Sequence, residues 1–180
     1  MSSYTKLVIF ILVLLLISAG IIFLDSSVDT INKSIPSINE DIEKGNDDYN
    51  DAVELLNNKN YTGAMNKATS ASNYYNSSLK KLSDVKSNFN NDINNVHKSY
   101  INAAYKEVQI KIKAINSLTM AINYYEDHYN STGNTYALEA NDYMNESLQY
   151  QDSRNQLVSE NPNLFKWCLE LWNERKMSKM

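Results

Sequence analysis

Beyond residue 25, apolar side chains recur every three or four residues, the period of a helix with one buried face. The first stripe is Val28, Ile31, Ile35, Ile38, Ile42, Gly45, Tyr49, Ala52 and Leu56. Its unbroken three-four spacing predicts a helix packed against other helices. Pro36 lacks a backbone donor, so a kink or break is expected there. Ser37-Ile38-Asn39-Glu40 has the form of a capping box at which a helix can restart, but the stripe keeps its phase and favours a kink. Gly45 lies on the stripe, where it weakens the helix and admits a neighbour closely.

Asn57-Asn58-Lys59-Asn60 reads as a turn, and a second stripe follows: Tyr61, Ala64, Ala68, Ala71, Tyr75, Leu79, Leu82, Val85, Phe89. The Asn-rich stretch 88–92 is the next predicted turn, because Asn and Asp side chains compete for helical hydrogen bonds. Without that turn, residues 61–129 would form one helix of about 100 Å. A third helix is expected from about Asp92 to Tyr129, with Val96, Tyr100, Ala104, Val108, Ile112, Ile115, Leu118, Ile122 and Tyr125 on its stripe. Residues 130–134 read as a loop, with Gly133 supplying the permissive backbone. The last stripe is Tyr136, Ala140, Tyr143, Ser147, Tyr150, Arg154, Leu157, ended by Asn161-Pro162-Asn163. Four helices of comparable length with short connections predict an all-α chain, an elongated antiparallel bundle over residues 25–160.

Residues 7–24 are different. Fifteen of these eighteen are Leu, Ile, Val or Phe, and Ser18 is their single polar side chain. Such a run is long enough to cross a bilayer as a helix. Ser18-Ala19-Gly20 has the small residues of a signal-peptide cleavage site, but Ile21 to Leu24 continue the apolar run, which favours an uncleaved transmembrane anchor. Lys6 precedes the span, and Asp25 and Asp29 follow it. Residues 1–6 are therefore expected in the cytoplasm and the rest outside, a single-pass topology with the bilayer as first partner.

Charge and composition narrow the function. The net charge is −4, which disfavours a nucleic-acid binder held by phosphate contacts. One cysteine, Cys168, excludes an internal disulfide. Residues 25–58 carry nine acids and two lysines, whereas residues 59–88 carry five lysines and one Asp. Opposite signs on consecutive helices select each other as neighbours. A faint internal repeat aligns residues 71–79 with 140–148 at an offset of 69, as duplication of a helical hairpin would give.

Residues 52–71 resemble one tetratricopeptide hairpin. The turn at Lys59-Asn60-Tyr61 and the small residues Ala64, Ala68 and Ala71 stand where that family places them, although no 34-residue recurrence follows. Small residues at a close helix crossing explain them equally well. The acidic run Glu40, Asp41, Glu43, Asp47, Asp48, Asp51, Glu54 lacks the loop spacing of a calcium site and reads as a solvated face opposite the basic second helix. His97 and His128 lack metal-ligand spacing and read as solvated. The tyrosines are expected to fill a narrow bundle with wet hydroxyls. Five glycosylation sequons occur, at Asn32, Asn60, Asn76, Asn130 and Asn145, about as many as so many Asn, Ser and Thr give by chance. No phosphate loop, dinucleotide fingerprint or nucleophile motif is present. No catalytic, cofactor-binding or metal-ligating residue is assigned, and catalysis is not expected.

Residues 161–180 form the last segment. Its predicted short helix places Trp167 and Trp172 on an apolar face, with Arg175, Lys176 and Lys179 beyond. That face either meets the headgroup boundary or caps the open end of the bundle. Lys6, Trp167 and Trp172 are the candidate membrane-interface residues. The expected role is structural or protein-interacting at the outer face of a membrane, with another protein as partner. The alternative is a sensory ectodomain acting with a partner subunit, similar in outline to the four-helix ectodomains of chemoreceptors.

Overall fold

The computed structural model describes residues 31–89 and 93–165, and these are helical nearly throughout, with no strand among them. The elements are α1 (31–57), α2 (Tyr61–Ser87), α3 (Asn95–Glu126), α4 (Asn130–Glu160) and a short 3-10 turn (Pro162–Leu164). The anchor at 7–24 and the residues Lys6, Trp167 and Trp172 lie outside the described residues. Among the described residues, no helix is long and apolar enough to cross a membrane.

The break between α2 and α3 falls where the Asn-rich stretch predicts it, so residues 61–129 are not one helix. α3 begins later than expected, at Asn95, because the Asn94 side chain caps it by accepting from Val96 N at 2.8 Å. One expectation fails. Residues 130–134 are not a loop: α4 starts at Asn130, and Gly133 is a buried helical residue. A methyl group there would lie 3.0–3.1 Å from the Tyr125 ring, so this glycine serves close approach rather than a left-handed turn. At 37–40 the capping box does not form and the helix does not restart, in keeping with the unbroken phase of the stripe. α1 runs through Pro36, Ser37 Oγ donates back to Ser34 O at 3.0 Å, and Glu40 pairs with Lys44 at 2.8 Å.

Both tight turns use the same device. Lys59 N bonds to Leu56 O and Asn60 N to Leu55 O, which is the Schellman pattern with Lys59 at φ 60°. His128 N bonds to Tyr125 O and Tyr129 N to Tyr124 O, with His128 at φ 65°. Each bond of the second turn sits 69 residues after its counterpart. The offset is that of the faint sequence repeat, so the hairpin α1–α2 recurs in shape as α3–α4.

Side-chain pairs fix the register. Along α1 and α2, Asp41 meets Lys81 (2.7 Å), Asn46 meets Tyr75 (3.0 Å), and Asp48 meets Lys67 (2.8 Å) and Ser70 (2.5 Å). Partner numbers fall as α1 numbers rise, so the two run antiparallel. Ser117 meets Glu139, and Glu107 meets Arg154, which makes α3 and α4 antiparallel too. Asn39 with Tyr100 and Asn46 with Lys111 set α1 parallel to α3. Up-down-up-down order follows. The exposed ion pairs add little to stability and serve pairing instead.

Much of the core comes from the predicted stripes, although Tyr129 is exposed and Tyr136, Tyr143, Tyr150 and Leu157 of the last stripe are only half-buried. Ile31, Ile35, Ile38, Ile42, Tyr49, Ala52 and Leu56 of α1 are all buried. Gly45 is needed there, since a methyl group would stand 2.5 Å from the Tyr75 ring. Ala64, Ala68 and Ala71 are fully buried and bring α2 close. α3 is the central helix, with fourteen buried residues against four in α4. Those four, Gly133, Ala140, Ser147 and Arg154, recur every seven residues as a narrow seam.

Candidate functional site

The seam of α4 ends in a charge. Arg154 occupies a stripe position yet is buried, 8% exposed. Its Nε donates to Glu107 Oε2 at 2.7 Å, and its Nη1 donates to Asn39 Oδ1 at 2.9 Å and to the Tyr100 hydroxyl at 3.2 Å. Glu107 is completely buried, and its Oε1 lies 3.0 Å from Lys111 Nζ, one helical turn along α3. Lys111 reaches on to Asn46 Oδ1 at 2.7 Å, the atom that also accepts from the Tyr75 hydroxyl at 3.0 Å. One carboxylate thus sits between two cations, and all four helices contribute to the network.

Its electrostatics follow from burial. Desolvation pushes the Lys111 ammonium below its ordinary value, opposed by the attraction of Glu107. Desolvation also works against the charged Arg154, but Tyr100 and Glu107 outweigh it, and the guanidinium is held above its usual range. Burial raises the Tyr75 hydroxyl, and it pushes Tyr49, whose hydroxyl is buried without a partner, to about 12. The expectation of wet tyrosine hydroxyls therefore fails for Tyr49, Tyr75 and Tyr100. Their rings lie deep enough in the central seam for the hydroxyls to stay inside.

The network does not end in a sealed core. A groove of about 510 Å³ opens over it between α1 and α4. Asn39, Tyr100, Glu107 and Arg154 line the groove, with Ile42 and Val158 on its walls and Glu43, Gln151 and Asn155 also facing it. The volume falls within the range of about 300–1,000 Å³ typical of small-molecule sites.

The offset of 69 places Glu107, Lys111 and Arg154 opposite Ile38, Ile42 and Val85 of the first hairpin. Those three are buried and apolar. The same hairpin therefore closes with aliphatic side chains at these positions, and the buried charges are not a requirement of its geometry. Replacing buried ionic triads by apolar side chains is often neutral or stabilising.

A second buried polar group lies at the adjoining end. His97 is 2% exposed, and its imidazole lies against the Leu164 backbone. Phe165, fully buried, leans on it at 5.1 Å between ring centroids and on Tyr100 at 5.2 Å. Burial holds the imidazole below its ordinary value, opposed by a hydrogen bond with the Leu164 backbone. The expected solvated histidine is thus corrected for His97, because residues 161–165 fold back over it. His128 is exposed at its turn.

The acidic residues of α1 behave as a face matched to α2. Asp41 pairs with Lys81, and Lys67 is held by Asp48 and Asp51. Among the described residues no group of three His, Cys, Asp or Glu side chains converges on a common point. Sequence reasoning assigned no residue of the Glu107 network to a site. The available signals were a lone arginine on an otherwise apolar stripe and a Glu-Lys pair at i, i+4 beside buried isoleucines. No family profile, no curated protein and no solved structure matches this chain.

Proposed function

We propose that this chain is a membrane-anchored, extracytoplasmic helical-bundle protein whose role is binding rather than catalysis. The anchor is the apolar run 7–24, with Lys6 on its cytoplasmic side. The observation that carries the binding role is the Glu107 network. Both carboxylate oxygens are committed to cations at 2.7 and 3.0 Å. A carboxylate held between two cations in this way fixes the geometry of both. One reading is a structural or protein-interaction role at the outer face of the membrane. The second, a ligand-binding ectodomain acting with a partner subunit, is favoured by the groove that opens over the same network.

Reporter fusions test the placement. A fusion after residue 60 is expected to be active only outside the cytoplasm, and protease added to intact cells should cut there. Cytoplasmic reporter activity at that site would reverse the topology. A mature chain beginning near Ile21 would mean that the anchor is removed.

A further inference from the structure

Charge is shared unevenly along this chain. From Ala114 to Ser153, forty residues carry six acids and no Lys or Arg, whereas the rest carries seventeen Lys and Arg against fifteen acids. The first hairpin answers its own acids, since Asp41 meets Lys81, and Asp48 and Asp51 meet Lys67. At the offset of 69, Lys67, Lys80 and Lys81 of α2 give way to Tyr136, Gln149 and Tyr150 of α4. Arg154 is the one cation of α4, and it is buried against Glu107. α4 therefore repeats the shape of α2 without its basic surface.

The same stretch carries the apolar surface. Among the described residues, the exposed large apolar side chains are Met120, Tyr129, Leu138 and Leu148, with Leu138 at 66% and Tyr129 at 63%. All four fall between Ala114 and Ser153. Scattered leucines on a surface need no explanation, but these coincide with the stretch that lacks a cation. Leu138, Asp142, Asn145, Gln149 and Asp152 follow at four-three spacing and are all exposed, so they form the outward stripe of α4. Glu146 and Leu148 are exposed beside it. Apolar contacts inside a charged rim are the pattern of a protein-recognition surface, and the sign of the rim selects a basic partner.

The tyrosines agree on that sign. Elsewhere on this fold Lys86 stands 4.2 Å from the centroid of the Tyr105 ring, Lys113 5.5 Å from that of Tyr143, and Lys44 5.7 Å from that of Tyr74. At the turn between α3 and α4, Tyr124 stacks on Tyr136 at 5.3 Å and lies at 84° to Tyr129, with centroids 6.4 Å apart. Glu126 and Asp127 are exposed in the same turn. An open tyrosine ring beside carboxylates suits a Lys or Arg side chain brought by another molecule.

We propose that the outer side of the second hairpin, from the turn at Tyr129 along α4 to Asp152, docks a basic amphipathic segment of a partner protein. Its apolar side chains meet Leu138 and Leu148, and its Lys or Arg side chains meet Asp142, Glu146, Asp152 and the ring of Tyr129. This rests on the protein-interaction reading above and gives that reading a surface and a partner chemistry.

The test is titration of the full chain, held in nanodiscs of zwitterionic lipid, with dye-labelled synthetic peptides, empty nanodiscs serving as reference. The probes are an amphipathic Leu-Lys peptide, a Lys-Ser peptide of equal charge, and a Leu-Glu peptide. Saturable binding is expected for Leu-Lys, binding about tenfold weaker for Lys-Ser, and none for Leu-Glu. Leu138→Ser with Leu148→Ser should weaken the Leu-Lys peptide by about tenfold, and so should Asp142→Lys with Glu146→Lys. Both pairs change exposed side chains, so both variants should unfold as the parent chain does. The same charge reversal at Glu54 and Asp84, exposed on the first hairpin, should change binding by less than about twofold. Absence of saturable Leu-Lys binding, binding indifferent to both α4 pairs, or an equal loss from the reversal at Glu54 and Asp84 overturns the proposal. Tighter binding once Arg175, Lys176 and Lys179 are changed to Gln also overturns it, by giving the face to the chain's own C-terminal segment. A native partner retained by the Leu138→Ser, Leu148→Ser chain would sink this surface and leave the interaction role standing, and reporter fusions read the anchor separately.

Discussion

At Glu107 a single carboxylate without exposure to water meets Arg154 and Lys111. Removing the carboxylate leaves two buried cations facing each other, which costs about 3–5 kcal/mol in comparable sites. Glu107→Gln is therefore expected to lower the unfolding free energy by that order in urea titrations of residues 26–180. The first hairpin supplies the contrasting design. The triple replacement Glu107→Ile, Lys111→Ile, Arg154→Val copies Ile38, Ile42 and Val85, and it should recover most of the loss. A triple variant as unstable as Glu107→Gln would mean that the charges hold the fold. A different residue-level strain sits at Lys59 and His128, both in left-handed backbone without being glycine. That conformation costs about 1–2 kcal/mol for an L-residue, and glycine returns part of the gain through its freer unfolded chain. Lys59→Gly and His128→Gly should each stabilise by roughly 0.5–1 kcal/mol in the same titration.

At the scale of elements, the helices were legible because each buries one stripe, and a stripe is written directly into apolar spacing. Ile35, Ile42, Ala52, Ala68, Val108 and Ile122 all lie where the period puts them. The turn at 57–60 was legible from its Asn residues, with Asn60 capping α2 through Gly63 N at 3.0 Å. The turn before α4 was misplaced because Gly133 looks like a chain reversal. Only its contact with the Tyr125 ring shows that it serves packing, and a contact across two helices leaves no local trace. The Glu107 site was illegible for the same reason: its members come from positions as far apart as 39 and 154. His97 gives the element-level prediction. Its folded-state titration lies below the unfolded value, so the unfolded chain binds the proton more readily. The stability it confers is complete above the unfolded value of about 6.5 and is lost as pH falls toward the folded one. Between neutral pH and pH 5 the unfolding free energy should fall, and His97→Leu should remove that component. A slope unchanged in the variant would assign it to other groups.

For the whole molecule, parity governs where the two ends lie. Asn39 near the start of α1, Tyr100 near the start of α3 and Arg154 near the end of α4 are bonded to one another. The end of α4 is therefore at the end of the bundle nearest the proposed anchor. Phe165 completes that end by closing over His97 and Tyr100. Two arrangements remain for the tryptophans that follow in sequence: a cap on the bundle or a foot in the headgroup layer. The burial of Phe165 favours the cap, since it ties the chain to the bundle only two residues before Trp167. Tryptophan emission from residues 26–180 is therefore expected to be blue-shifted in buffer alone and indifferent to anionic vesicles. Substituting Phe165→Ser, which releases the tie, should move that emission to the red. A solvent-like spectrum that shifts blue only when vesicles are added would place Trp167 and Trp172 in the headgroup layer instead, with Arg175, Lys176 and Lys179 drawn to anionic lipid.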